Sequence, residues 1–307
     1  MAVTPMQSLT LGPIIYHWKP EERRDFYARI ADEAPVGTVY LGEVICSKRT
    51  PYFEGDYPEI IERLERGGKQ VVLSSLSEVV LKREREMLAA ICETEGHEIE
   101  INNTAGLLDV AERPHRVGPL MNIYNEETMR YLAGKGATHF SLPVELPAAV
   151  VGEMAKAAKG LGVGIEVQVF GRASLAVSAR CYHARAHCRT KDNCQFVCEE
   201  DPDGMPLKTV TGQSFLTING IQTLSHSYVN LAAEISQMQT MGVTQFRLLP
   251  QRVDMVAVAR VYADRVSGAI DAAESDARLA TLAMPAPFSN GFWNGQQGRR
   301  QFGPKVA

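Results

Sequence analysis

No uninterrupted apolar run in this sequence approaches the roughly 18 residues that a membrane-spanning helix needs. Met1 to Pro13 lacks the charged region and apolar run of a secretory signal. A soluble, cytoplasmic protein is the expectation. Basic residues do not exceed acidic ones, 32 against 36, so no global positive field invites nucleic acid. Also missing are a glycine-rich phosphate loop, a His-Glu-x-x-His and a Gly-x-Ser-x-Gly. Gly160-Leu-Gly-Val-Gly164 ends a predicted helix and enters a strand, the reverse of a dinucleotide fingerprint. Cysteine is scarce too, with six in 307 residues. Four of those six, Cys181, Cys188, Cys194 and Cys198, fall between Arg180 and Cys198.

That concentration is the strongest signal present. Thiolates select zinc, copper(I) and iron–sulfur clusters, and in a reducing compartment clustered cysteines are ligands or catalysts more often than disulfides. Cys194 and Cys198 are spaced so that one turn of chain can bring both sulfurs to one ion or cluster. Structural zinc sites usually use two close pairs, and only this close pair is present. Three cysteines on one loop with a remote fourth suit an iron–sulfur site. Zinc, redox thiols and coincidence remain the alternatives. Cys181 and Cys188 compete as the third ligand. His183 and His187 read as ligands, as donors to ligands or as solvated loop residues. Cys92 sits on the apolar face of a predicted helix and reads as core.

Hydrophobic patterning gives the frame. With 45% hydrophobic residues, the chain can fill one large core or two smaller ones. Predicted strands at Pro13–Tyr16, Val39–Gly42, Gln70–Ser74, Glu98–Asn102, Gly118–Tyr124, Thr138–Leu142, Gly164–Phe170 and Gln245–Leu249 alternate with helices. The helices are Pro20–Ala31, Pro58–Arg66, one opened by a capping box at Ser75 and Glu78 and running to Cys92, Leu107–Glu112, Asn125–Gly134, Pro147–Lys159, Val229–Met241 and Asp254–Ala273. Repeated strand–helix units imply a parallel sheet, and eight of them suit a TIM-barrel-like (β/α)8 fold. An open doubly wound sheet is the alternative. The barrel-like domain is predicted over residues 1–284, with a cysteine-bearing insertion at 176–227 after the seventh strand. Residues 285–307 form a C-terminal arm. In a barrel, Cys46 after the second strand and the cysteine run after the seventh would share the C-terminal face. His17 and Glu43 would lie near them as candidate polar residues, with rim packing or a salt bridge as the plainer reading of each.

Several motifs resemble the collagenase-like peptidase family over nearly the whole chain. They are Tyr40-Leu-Gly-Glu-Val-Ile-Cys-Ser-Lys-Arg49, Ser178-Ala-Arg-Cys-Tyr182, Lys191-Asp-Asn-Cys194 with Cys198, Asn219-Gly-Ile-Gln-Thr-Leu-Ser225, Phe246-Arg-Leu-Leu-Pro-Gln251 and Asn290-Gly-Phe-Trp-Asn-Gly295. The early cysteine and the Cys-x12-Cys-x3-Cys spacing are similar to one branch of that family. This resemblance implies that Cys46, Cys181, Cys194 and Cys198 hold a [4Fe–4S] cluster in a partly barrel-like α/β fold. It further implies a heterodimer with a UbiU-like iron–sulfur protein. The implied role is oxygen-independent ring hydroxylation of a ubiquinone precursor, with prephenate as oxygen donor. Cys188 departs from the pattern, because with Cys181 it makes the Cys-x6-Cys pair of a sister branch. A hydrolase and a structural zinc module are the other function classes.

Overall fold

A computed structural model describes residues 8–303. In chain order the elements are β1 (Ser8–Leu11), α1 (Pro20–Glu33), β2 (Thr38–Leu41), α2 (Tyr57–Arg66), β3 (Gln70–Ser74), α3 (Lys82–Glu93), β4 (Glu98–Ile101), α4 (Gly106–Val110), β5 (His115–Val117), α5 (Glu126–Ala133), β6 (Ala137–Ser141), α6 (Ala148–Leu161) and β7 (Gly164–Val177). There follow α7 (Tyr182–Ala186), β8 (Met205–Lys208), β9 (Ser214–Asn219), β10 (Gln222–Asn230), α8 (Ile235–Met241), β11 (Gln245–Leu248), α9 (Met255–Ser267), α10 (Ala272–Ala280) and β12 (Phe288–Ser289).

Strands β1 to β7 pair in sequence order, all parallel, and β11 closes the ring by pairing in parallel with both β7 and β1. The fold is a closed eight-stranded α/β barrel of the TIM type. Helices cover its outside, so its strands are largely buried on both faces, and apolar residues alternate along them with buried polar ones such as Glu100, Glu166 and Arg247. All four residues of β2, Thr-Val-Tyr-Leu, are buried. From β7 the chain leaves the barrel through an antiparallel extension in which β10 pairs β7, β9 pairs β10 and β8 pairs β9. The cysteine run lies between β7 and β8. The C-terminal arm returns through β12, which pairs β10, and buries Trp293 with its indole N–H on Gln237. Residues 304–307 of the predicted arm lie outside the described residues.

The structure corrects five element predictions. The first strand is Ser8–Leu11, and Pro13–Tyr16 is a buried loop at the end of it. Its apolar character reflects burial, not pairing. The third helix starts at Lys82, where Glu84 reaches back to the N–H groups of Val80 and Leu81. Ser75 instead accepts from the backbone of Asn102. The fifth strand is His115–Val117, because Pro119 cannot donate to a ladder and opens a short 3-10 turn over Pro119–Met121. Residues 229 and 230 belong to β10, which leaves only Ile235–Met241 helical in the predicted Val229–Met241 helix. The last helix breaks at Gly268, whose left-handed conformation ends α9 before α10 begins.

Candidate metal centre

Two loops at the C-terminal end of the barrel bring Cys46, Cys181, Cys194 and Cys198 to the lining of one pocket. Lys48, Arg49, His183, Lys191, Phe196, Val197 and Gly220 line it with them. Cys92 packs away from it in a small core under α3 with Leu88, Ile99 and Val110. Cys188 is exposed and does not line the pocket. All six cysteines are free thiols.

Each polar residue of the motif Gly42 to Arg49 has a definable task. Gly42 approaches β3 so closely that a Cβ there would stand 2.2 Å from the carbonyl oxygen of Ser74. The Glu43 carboxylate accepts from the backbone N–H groups of Ile45 and Cys46 at 2.9 and 3.0 Å, which fixes the turn that presents Cys46. Ser47 donates to Glu84 at 2.7 Å and ties that turn to the start of α3. Lys48 donates to the carbonyls of Lys191 and Asp192 at 2.8 and 2.9 Å. It therefore clamps the Cys46 loop onto the distant cysteine loop. Arg49 is buried and donates to the Ile15 carbonyl and to Asn219 at 2.8 and 2.9 Å. Gly220 belongs to the same arrangement, since a Cβ on it would meet the Arg49 guanidinium at 2.8 Å.

Cys181 stands just before α7, where its sulfur accepts from the N–H of Ala184 at 3.3 Å. Arg189 donates to the Cys194 carbonyl at 3.2 Å and holds the far side of the loop. Burial raises the Cys46 thiol pKa, with Arg49 acting against that rise. Burial likewise raises that of Cys181, opposed by the Ala184 N–H. Burial disfavours the charge on Arg49 too. Even so, Cys198, Glu43 and Cys46 beside it hold its pKa above the ordinary arginine value.

The surroundings fit an anionic sulfur-ligated group. Arg49 Nε and both terminal nitrogens of the buried Arg23 have no hydrogen-bond acceptor, although buried donors are almost always paired. Arg23 does not line the pocket; its guanidinium lies 3.9 Å over the Phe53 ring. Four thiolates would bring negative charge into a pocket whose lining includes Lys48, Arg49 and Lys191. Among the described residues, no three cysteine sulfurs lie within 4.8 Å of one another. Zn–S bonds of about 2.3 Å place tetrahedral sulfurs roughly 3.8 Å apart. No three of the described cysteine sulfurs meet that spacing as placed.

His17 and the paired histidines occupy unexpected environments. His17 is enclosed by Tyr52, Phe53 and Phe196 rather than standing on the rim. Burial, with Arg49 and Arg23 nearby, depresses its pKa to about 3, so it is neutral and no open-site base. His183 is fully buried, which overturns its reading as a solvated loop residue. It pairs with Asp201 at 2.9 Å and stacks on His187 with ring centroids 5.6 Å apart. His183, His187 and Asp201 form the one group of three potential ligands within 4.8 Å among the described residues. The four-residue spacing of the histidines was visible in the sequence. Asp201 was not, because it arrives from beyond the cysteine run.

Fold and site together define an α/β barrel protein with a cysteine-lined pocket at the C-terminal ends of its strands. The chain belongs to peptidase family U32, whose sequence profile matches residues 18–301. Among solved structures it is similar to an uncharacterized B. cereus protein, with 10% identity and a TM-score of 0.38, covering 90% of this chain and 65% of that one. The chain thus spans about two thirds of that protein's length. A second likeness is to the Bacillus cereus spore cortex-lytic enzyme SleL, at 11% identity and TM-score 0.29, covering 84% of this chain and 75% of SleL. A third is to the pneumococcal virulence factor StrH, at 8% identity and TM-score 0.21, covering 53% and 54%. Likenesses this distant say nothing about chemistry here.

Proposed function

We propose that the chain is an iron–sulfur subunit of an oxygen-independent ring hydroxylase on the route to ubiquinone, working with a UbiU-like iron–sulfur partner. Within the family, its motifs resemble those of the ubiquinone biosynthesis protein UbiV. The observation that supports this reading is the convergence of Cys46, Cys181, Cys194 and Cys198 on one pocket, with Cys92 and Cys188 outside it. When bound, a [4Fe–4S] cluster supplies one-electron chemistry or a place to activate an oxygen donor such as prephenate. All-cysteine ligation favours electron transfer. The chain's own part is to hold the four thiolates, to offset their charge with Arg49, Lys48 and Lys191, and to shield them behind Phe196 and Val197. Its six free thiols accord with a reducing, cytoplasmic setting.

The test is genetic and biochemical. In oxygen-free cells lacking the pathway's own pair, the chain and a UbiU-like partner should co-purify and restore ubiquinone, and Cys46→Ala should not. Restoration by the Cys46→Ala protein would contradict the reading. One observation favours a hydrolase instead. His183, His187 and Asp201 together offer two imidazoles and one carboxylate, the ligand composition of hydrolytic zinc sites. Peptide cleavage that needs zinc and is lost in His187→Ala would establish that alternative.

A further inference from the structure

Two histidines and an aspartate stand at the two ends of the cysteine run. We propose that His183, His187 and Asp201 bind one zinc ion, which staples those ends together beside the cysteine pocket.

Local structure builds the ligand set. His183 and His187 are four residues apart, on α7 and its C-terminal cap, so both rings lie on one face. The rings stack with centroids 5.6 Å apart and planes 13° apart. Asp201 comes from the other end of the run, three residues after Cys198. Backbone contacts fix its place. Its carbonyl accepts from the Gly204 N–H at 2.8 Å, and the Trp18 indole donates to the next carbonyl, that of Pro202, at 2.7 Å. One nitrogen from each imidazole and one carboxylate oxygen then lie within 4.8 Å of one another.

Pairing within the chain does not account for this group. His183 is fully buried, yet neither of its ring nitrogens makes a hydrogen bond. Its Nε2 is 2.9 Å from an Asp201 oxygen, but out of line for donation. Buried polar atoms are almost always satisfied, and an ion between the three side chains would complete them. Zinc bonds of about 2 Å to nitrogen and oxygen place neighbouring ligand atoms roughly 3–3.5 Å apart. His183 and Asp201 already meet that spacing. The remaining closure falls to His187, which is half-buried.

Donor chemistry separates this site from the cysteines. His183 also lines the cysteine pocket, but no cysteine sulfur belongs to the group of three. Two imidazoles and a carboxylate suit zinc and leave its fourth position to water. The four thiolates are the softer set, and iron–sulfur groups need thiolates. Each site therefore prefers a different occupant.

The position gives the ion a structural task. α7 begins directly after Cys181, and Asp201 follows Cys198. A bond between them closes the loop 183–201, which carries Cys194 and Cys198. Closing a loop in this way removes chain entropy before the cysteines bind anything. This task requires no peptide cleavage. It goes beyond the hydroxylase reading and does not rest on it.

The full chain is purified without oxygen, given one equivalent of zinc sulfate, desalted, and analysed for zinc and iron together. One zinc per chain should remain beside the iron. His187→Ala should lose the zinc and keep the iron, and Asp201→Asn serves the same end if that variant fails to fold. Cys194→Ala should do the reverse, losing iron and keeping zinc. X-ray absorption at the zinc edge of Cys194→Ala should show nitrogen and oxygen neighbours and no sulfur. No zinc retained by the folded protein, zinc retained in folded His187→Ala and Asp201→Asn, or sulfur beside the zinc would each overturn the proposal. Parental protein without iron would count against the hydroxylase reading, and the histidine and aspartate variants would still decide the zinc site.

Discussion

Two regions of the molecule handle buried charge differently. At the centre of the barrel, Arg247 is paired with both Glu166 and Glu100, although its Nε lacks an acceptor. Glu166 accepts from Thr10 at 2.5 Å, from Ser141 and from Tyr40, and Glu100 accepts from Ser74 at 2.8 Å. Around Cys46 the network stays open. Arg23 and Arg49 carry buried donors without acceptors, and one oxygen of Glu43 is unpaired. Charges paired within the chain hold a fold together. Buried donors left without acceptors are the exception and call for an explanation.

The largest expected effect breaks the closed side of this contrast. Arg247→Met strands Glu100 and Glu166 without their cation, and should cost about 3–5 kcal/mol in urea denaturation. A loss below about 1 kcal/mol would mean that the network does not hold the barrel. Acid probes the same network. Burial alone would raise the Glu166 pKa, but Arg247 and His139 pull it from 4.5 down to about 2. Burial lowers His139 from 6.5 to about 4. Both folded pKa values lie below the unfolded ones, so both contributions are complete above pH 6.5 and disappear as pH falls. The His139 part should vanish between pH 6.5 and 4, and the Glu166 part between 4.5 and 2, on the order of 3 kcal/mol each. The acid loss should be the same in Cys194→Ala, because the network is separate from the cysteine pocket. A shifted acid transition in that variant would join the two regions.

Two smaller effects belong to the open side. Arg49→Met removes two buried hydrogen bonds, to Ile15 and Asn219. It should cost about 1–3 kcal/mol and lower the iron content, whereas Arg247→Met should leave the iron content of its folded fraction unchanged. Lys48→Met cuts the clamp between the two cysteine loops and should cost about 1 kcal/mol or less. Its signature should be faster iron loss to a chelator, measured at equal fold stability. Iron loss at the parental rate would remove Lys48 from the site's support.

Much of the barrel is legible because its strands are short segments with apolar residues at alternate or successive positions, set between helical segments. The strand Gln70–Ser74 matches its prediction to the residue, and Asn125, the start of a predicted helix, caps that helix by accepting from the Thr128 N–H. The misread segments share a cause. Pro13–Tyr16 and Val229 are buried by tertiary packing, Val229 within β10 beside β7 and β12, which local pattern does not reveal. The convergence of Cys46 with the cysteine run followed from barrel topology alone. Spacing could not choose between Cys181 and Cys188; burial does separate them, with Cys181 inside the pocket and Cys188 exposed. Arg247, Glu100 and Glu166 were invisible as a group, since a polar residue on a predicted strand gives no sign that it points into a barrel.

The most direct measurement is iron and acid-labile sulfide in protein purified without oxygen, together with its visible spectrum. About four irons per chain and a broad absorption shoulder near 400 nm are predicted for a [4Fe–4S] centre. Cys46→Ala, Cys181→Ala, Cys194→Ala and Cys198→Ala should each lose that iron, while Cys92→Ala and Cys188→Ala keep it. A colourless protein carrying one zinc would contradict the central claim.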